Sequence, residues 1–455
     1  MRKTKLITGI IVALVAGVSG YLGYTKIYLP KKFEQLTEKI IQNAVAALDA
    51  EKLAGQAIHI AIPGTELNEQ SRKIITELKP GGIIFFGFNL ASAEQIKKLT
   101  GDLQKLAAEL GLPPFLISTD QEGGYVKRVQ DGVLQTPPAR NLGDTGDKEL
   151  CRATGYHVSR DLGALGINVF FAPIVDINNN PKNPVIGLRS FGTTIAAVLT
   201  CALPFEQGAR SAFQAAGGAM PVIKHFPGHG DTHVDSHWAL PVIDKKLEAL
   251  REFELVPFRD AIHSGAPAVM TAHILYPEVD KDAPATLSAK WLTGVLRGEL
   301  KFRGLVFTDA MEMSAVAKHY GDLNPPVAAL KAGADVLLYT SWQEEPIEGV
   351  KRIAAEFGAL PRANAEKKTE ASALERAARN QLRAKLPYLK IENYLPGDEA
   401  AWYRDYDKAL QTKRTQQPVA HDPETLKKKY ADIRWSAKQK RNQPQWLAGQ
   451  KNQAN

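Results

Sequence analysis

The sequence predicts an α/β protein built as a (β/α)8 TIM-type barrel, and three observations point there. Eight short, near-continuously apolar runs recur between residues 57 and 340. Longer amphipathic stretches separate them, and most of the runs end on a carboxylate, a lysine or a histidine. Apolar runs of this kind suit strands buried on both faces, as in a parallel sheet. Eight of them alternating with helices over roughly 290 residues suit a barrel, which typically takes about 250. A doubly wound open sheet shares the alternation, but no GxGxxG opens a helix after the first strand, which weakens its dinucleotide-binding form.

The elements follow in order. "MRKTK" is a basic start, and Leu6 to Tyr24 then carries no charged side chain. At about 1.5 Å per residue this stretch nearly spans a bilayer core. Residues 1–30 are therefore expected to be a transmembrane signal anchor, single-pass in the cell membrane, with the rest of the chain on the periplasmic or extracellular side. Secretion after signal cleavage is the alternative. Lys26, Lys31 and Lys32 balance the flanking charges, so the positive-inside rule alone does not fix orientation.

Residues 31–395 form the expected catalytic domain. It opens with a helical lead-in over 31–55. The strand-like runs are 57–64, 81–87, 114–120, 167–177, 221–228, 267–274, 304–311 and 334–340. Stretches such as 92–111 and 245–265 read as the helices between them, and 341–360 and 371–386 as closing helices. Pro396 and Gly397 then break the pattern, and residues 396–455 read as a polar, basic, loosely ordered tail. Attachment to an acidic surface, such as phospholipid headgroups, is the sharper reading of that tail.

The balance of 44% hydrophobic and 23% charged residues is that of an ordinary globular protein. The net charge of +8 is concentrated after about residue 350, with no aromatic-interleaved basic patch, so nucleic acid is not an expected partner. The sequence carries no signal for an oligomeric state. Cys151 and Cys201 are the chain's two cysteines. Buried free thiols are expected, and one bridge is possible.

Asp120, Asp176, Lys224 with His225, His273 and Asp309 stand at the ends of strand-like runs. A single such residue could be a helix N-cap. Five strand ends of this kind point to one pocket at the C-terminal face of the barrel, where catalytic groups gather in this architecture.

"KHFPGHGDTHVDSH", from Lys224 to His237, places His225, His229, His233 and His237 at intervals of four. Such spacing chelates a metal when the histidines share a helix face. Pro227, Gly228 and Gly230 forbid that helix, so a turn is expected over Phe226–Gly230 and no metal site is assigned. The loop closes on Asp235-Ser236-His237. An aspartate two residues before a histidine can accept a hydrogen bond from the imidazole, fixing its tautomer and making it a usable general acid and base.

This stretch resembles the signature of the glycoside hydrolase family 3 β-N-acetylhexosaminidases. Residues 118–129 "STDQEGGYVKRV", 183–192 "NPVIGLRSFG" and 304–313 "GLVFTDAMEM" resemble other family segments in the same order. The resemblance covers about residues 55 to 390. It implies a retaining exo-β-N-acetylglucosaminidase that removes terminal GlcNAc from peptidoglycan or its fragments, with chitin oligosaccharides as the other candidate substrate. Asp309 matches the nucleophile, and His237, held by Asp235, matches the acid/base. Asp120, Arg128, Arg189, Lys224 and His225 match groups that bind sugar hydroxyls, and Asp176 and His273 are expected to support them from behind. The chemistry implied needs no cofactor and no metal. Tyr125 departs from the family's frequent "DQEGGRV", although Arg128 is present. Two alternatives stay open: another family 3 glycosidase, such as a β-glucosidase, or a non-catalytic protein that tethers the cell wall.

Overall fold

The computed structural model describes residues 24–236, 238–320, 324–357, 372–414 and 421–433. Ten strands are described: β1 Ile58–Ala61, β2 Gly82–Phe85, β3 Leu116–Thr119, β4 Gln121–Gly123, β5 Val126–Lys127, β6 Val169–Phe170, β7 Met220–Phe226, β8 Ala268–Thr271, β9 Leu305–Phe307 and β10 Leu337–Leu338. Eight of them form a parallel sheet in the order β10-β1-β2-β3-β6-β7-β8-β9. The parallel bridge Phe307–Val336 brings the two ends of that sheet together. The result is the expected eight-stranded barrel, and its strands fall inside the predicted apolar runs, except that β7 begins one residue early, at Met220.

The two-sided burial follows from side-chain alternation. Ile83 and Phe85 of β2 pack outward into the layer shared with the helices. Ile84 and Phe86 turn inward, where they join Leu116, Phe171, Met270 and Phe307 in the barrel interior. Successive side chains of a strand point to opposite faces, so a strand covered on both must be apolar at every position. The helices between strands begin at capping side chains: Ser92 accepts from the Gln95 N–H, Asp147 from Leu150 and Thr194 from Ala197.

Three features depart from the sequence reading. First, β4 and β5 form a small antiparallel hairpin directly after β3. Gly123 and Gly124 make its turn with φ of 96° and 58°, and a Cβ on Gly124 would collide with Pro138. The pairing is too short to leave an alternating pattern.

Second, Cys151 and Cys201 are joined in a disulfide, not left as free thiols. They lie on the helices Lys148–Ala164 and Ile195–Ala216. Those helices meet closely because Gly155 and Gly208 face each other's backbone. A Cβ at either position would stand about 2 Å from a carbonyl oxygen of the other helix. With the cysteines 50 residues apart, local spacing could not reveal the pairing.

Third, the region expected to be a loose tail contains the helices Gly397–Arg414 and Pro423–Asp432. Ala400, Tyr403 and Leu426 are buried. The Tyr403 and Thr37 hydroxyls are hydrogen-bonded, as are those of Tyr430 and Thr154. A few well-spaced apolar anchors hold these helices, too sparse to show as periodicity. The anchor expected over residues 1–30 lies outside the described residues except for its last turns. No helix among the described residues is long and apolar enough to cross a membrane.

Candidate active site

A cavity of about 300 Å³ opens at the C-terminal mouth of the barrel. Asp120, Arg189, Lys224, His225 and Asp309 all line it, although they come from distant parts of the sequence. The barrel supplies the convergence, because strand ends that are remote in the chain are neighbours around its rim.

Lys224 lies near the end of β7 and is buried. Its Nζ stands 2.9 Å from Asp120 Oδ1 and 2.6 Å from Glu122 Oε1. Arg189 meets Glu122 through two parallel bonds of 2.8 Å, Nε to Oε2 and Nη2 to Oε1. Glu122 is thus the hub of the charged cluster, yet the sequence reading passed over it. The available signal was a second carboxylate in "TDQEGG", two residues after Asp120 and held in the glycine turn of β4. Burial works to raise the Glu122 carboxyl, but Arg189 and Lys224 outweigh it and hold it at about 2. Glu122 is therefore ionised under any ordinary condition and fixes both cations as hydrogen-bond donors facing the cavity.

Asp176 is fully buried behind the end of β7. It accepts the backbone N–H of His225, the backbone N–H of His229, and a 2.7 Å bond from His225 Nδ1. That contact fixes the His225 tautomer, with Nδ1 carrying the proton given to Asp176. Burial acts to raise Asp176, but the nearby imidazoles bring it below the usual carboxylate range.

The segment after β7 is a loop, as Pro227 and the glycines predict. His229 is buried within it and touches the Thr232 and Ser236 hydroxyls at 3.0 and 3.1 Å. Burial, with His225 adding, pushes the His229 imidazole down to about 4, so it is neutral. It shapes the loop from inside and holds Ser236, two positions from Trp238, both of which line the cavity. His233 is exposed. Asp235 is partly buried, and its carbonyl accepts the Trp238 and Ala239 N–H groups. His237 lies outside the described residues, so its pairing with Asp235 is not described.

Asp309 follows β9 and accepts the Ala310 N–H at Oδ1, 2.9 Å. His273, fully buried after β8, donates from Nε2 to the Ala310 carbonyl at 2.9 Å and contacts Thr286 Oγ1 through Nδ1. It stands behind the chain that carries Asp309. Arg128 stands beside Asp120. Its guanidinium lies 3.7 Å from Asp120 Oδ2, and its backbone N–H donates to the Asp120 carbonyl. It frames Asp120 from the side. Among the described residues no group of three or more His, Cys, Asp or Glu could hold a metal ion.

A carboxylate at a barrel's C-terminal mouth, sharing one cavity with fixed cations and a second carboxylate, has the polar groups that an enzyme acting on a polyhydroxylated substrate needs. The family model of the glycosyl hydrolase family 3 N terminal domain matches residues 32–371. A beta-hexosaminidase of Nitrosomonas eutropha is 35% identical over 312 residues, covering 67% of this chain and 86% of that one. One from Chromobacterium violaceum is 36% identical over 294 residues, covering 63% and 79%. Among solved structures, a family 3 β-N-acetylglucosaminidase from Paenibacillus sp. str. FPU-7 matches with TM-score 0.69 and 38% identity, covering 79% of this chain and 68% of that one. NagZ from Neisseria gonorrhoeae, solved with N-trifluoroacetyl-D-glucosamine, matches with TM-score 0.58 and 27% identity, covering 79% and 96%. The chain belongs to glycosyl hydrolase family 3 and is a glycoside hydrolase of the β-hexosaminidase kind.

Proposed function

We propose that the protein is a retaining exo-β-N-acetylglucosaminidase that removes terminal GlcNAc from peptidoglycan or its fragments through a glycosyl–enzyme intermediate on Asp309. The observation that carries this reading is the placement of Asp309 in one cavity with Asp120, Arg189, Lys224 and His225. In the first step an Asp309 oxygen attacks the anomeric carbon. The bond from that carbon to the leaving oxygen breaks, and His237 gives its proton to that oxygen. In the second step His237 takes a proton from water, the water oxygen attacks the same carbon, and Asp309 leaves as carboxylate. A histidine in place of the usual second carboxylate is chemically suited to this, since its proton is exchangeable near pH 7.

Lys224, Arg189 and His225 donate to sugar hydroxyls, and Asp120 accepts from them. The small cavity favours a terminal sugar over a chain threading through. Peptidoglycan leads as substrate because the basic start and apolar stretch of residues 1–24 support an anchored, exported enzyme. The Cys151–Cys201 bridge supports an oxidising compartment outside the cytoplasm. Proton NMR of the reaction on an aryl β-GlcNAc tests the mechanism. The β-anomer of GlcNAc as first product is expected, and the α-anomer would rule out the covalent route.

A further inference from the structure

The groups that line the cavity are unevenly distributed around the barrel. Asp120, Arg189, Lys224 and His225 come from the arc between β3 and β7. The arc from β9 through β10 to β2 supplies the apolar Ile84, Phe86, Met313 and Leu338, with Thr340 beside them. Among the described residues of that second arc, Glu312 is the one ionisable side chain lining the cavity besides Asp309.

Glu312 is held at one oxygen. Its Oε1 accepts both the backbone N–H and the hydroxyl of Thr340. Its Oε2 is buried and has no hydrogen-bond partner within the protein, although the residue itself is only partly buried and lines the cavity. A buried carboxyl oxygen is costly to leave without a partner, so an orphan on a residue that lines a binding cavity marks a place where a ligand completes the set.

Ring hydroxyls are already matched by the charged arc. What separates GlcNAc from glucose is the 2-acetamido group, which pairs one hydrogen-bonding amide with one apolar methyl. It sits on the carbon next to the anomeric centre, so it must lie beside the nucleophile. Glu312 follows Asp309 by three residues and stands among apolar side chains. We propose that Glu312 recognises the 2-acetamido group, its carboxyl bonding the amide while the apolar arc receives the methyl. This assignment rests on the proposed reaction and adds to it the residue that sets the preference for GlcNAc over glucose. Burial pushes the Glu312 carboxyl up to about 7, so near neutrality a large share of the molecules carry it as an acid able to donate to the amide carbonyl.

The test compares wild type with Glu312→Ala and Glu312→Gln. Binding of GlcNAc and of glucose is measured by calorimetry, and kcat/KM is measured on 4-nitrophenyl β-GlcNAc and β-glucoside, with melting temperatures as a control. Glu312→Ala is expected to weaken GlcNAc binding and turnover about 30-fold, as for one lost buried hydrogen bond, and to leave the glucose compounds within about twofold. Glu312→Gln, which keeps a neutral hydrogen-bonding head, is expected to recover most of the loss. An unchanged preference, or equal losses on both sugars, would overturn the assignment while leaving the hydrolase reading intact. GlcNAc binding that depends on Glu312 without any turnover would overturn the hydrolase reading and support the assignment. Absence of GlcNAc binding altogether would sink both.

Discussion

Replacing Glu122 with Gln removes the one negative charge that Arg189 and Lys224 share. Arg189 contacts it through two 2.8 Å bonds and Lys224 through one of 2.6 Å, and all three residues are buried. The carboxyl falls from an ordinary 4.5 to about 2. At about 1.4 kcal/mol for each tenfold change in proton affinity, that difference corresponds to about 3 kcal/mol of stabilisation of the charged form. Removing one member of a buried ion pair typically costs about 3–5 kcal/mol, because the remaining charges stay buried and uncompensated. The two figures agree in order of magnitude. Lys224 and Arg189 also line the cavity, so loosening them reaches the substrate as well as the fold. Urea unfolding should show Glu122→Gln less stable by about 3 kcal/mol, and KM for an aryl β-GlcNAc should rise about tenfold or more. A variant within about 0.5 kcal/mol of wild type and with unchanged KM would refute the view that Glu122 organises the site.

Further expectations follow from neighbouring features. Glu122 and Asp176 both have lowered folded-state pKa values, so both contribute stability that is present above about pH 4.5 and is lost as pH falls, towards about 2 for Glu122. Urea midpoints measured from pH 6 to pH 3 should drop, and Glu122→Gln should flatten the slope. Asp176→Asn removes the carboxylate that orients His225 and anchors the His229 amide, and kcat/KM should fall about 100-fold with far-UV circular dichroism unchanged. Cys201→Ser opens a 50-residue loop, and calorimetry should show a loss of about 4 kcal/mol on the loop-closure model.

The barrel was legible because its strands are covered on both faces, so each wrote an unbroken apolar run into the sequence. The strand-end residues were legible for the same reason, since Asp120, Lys224 and Asp309 interrupt runs that packing would otherwise keep apolar. The turn in the histidine segment could be read from Pro227 and its glycines, which exclude a shared helix face. Glu122 was harder to find because its significance lies in Arg189, 67 residues away, and no local pattern encodes that bond. Arg128 could be recognised as a basic residue near Asp120, but sequence does not show that its guanidinium lies 3.7 Å from the Asp120 carboxylate. The disulfide and the two C-terminal helices depend on packing between distant segments. Their evidence in sequence is a few anchors such as Tyr403 and Leu426, below the threshold of a visible period.

The central claim is that this site cleaves a terminal β-GlcNAc with Asp309 as nucleophile. It is tested most directly by nitrophenol release from 4-nitrophenyl β-GlcNAc by the chain from about residue 31 onward, beside Asp309→Ala and His237→Ala. Steady release by wild type, reduced at least about 1,000-fold in Asp309→Ala and strongly reduced in His237→Ala, is the predicted result. Folded wild-type protein that releases nothing, or an Asp309→Ala variant that keeps its rate, would contradict it.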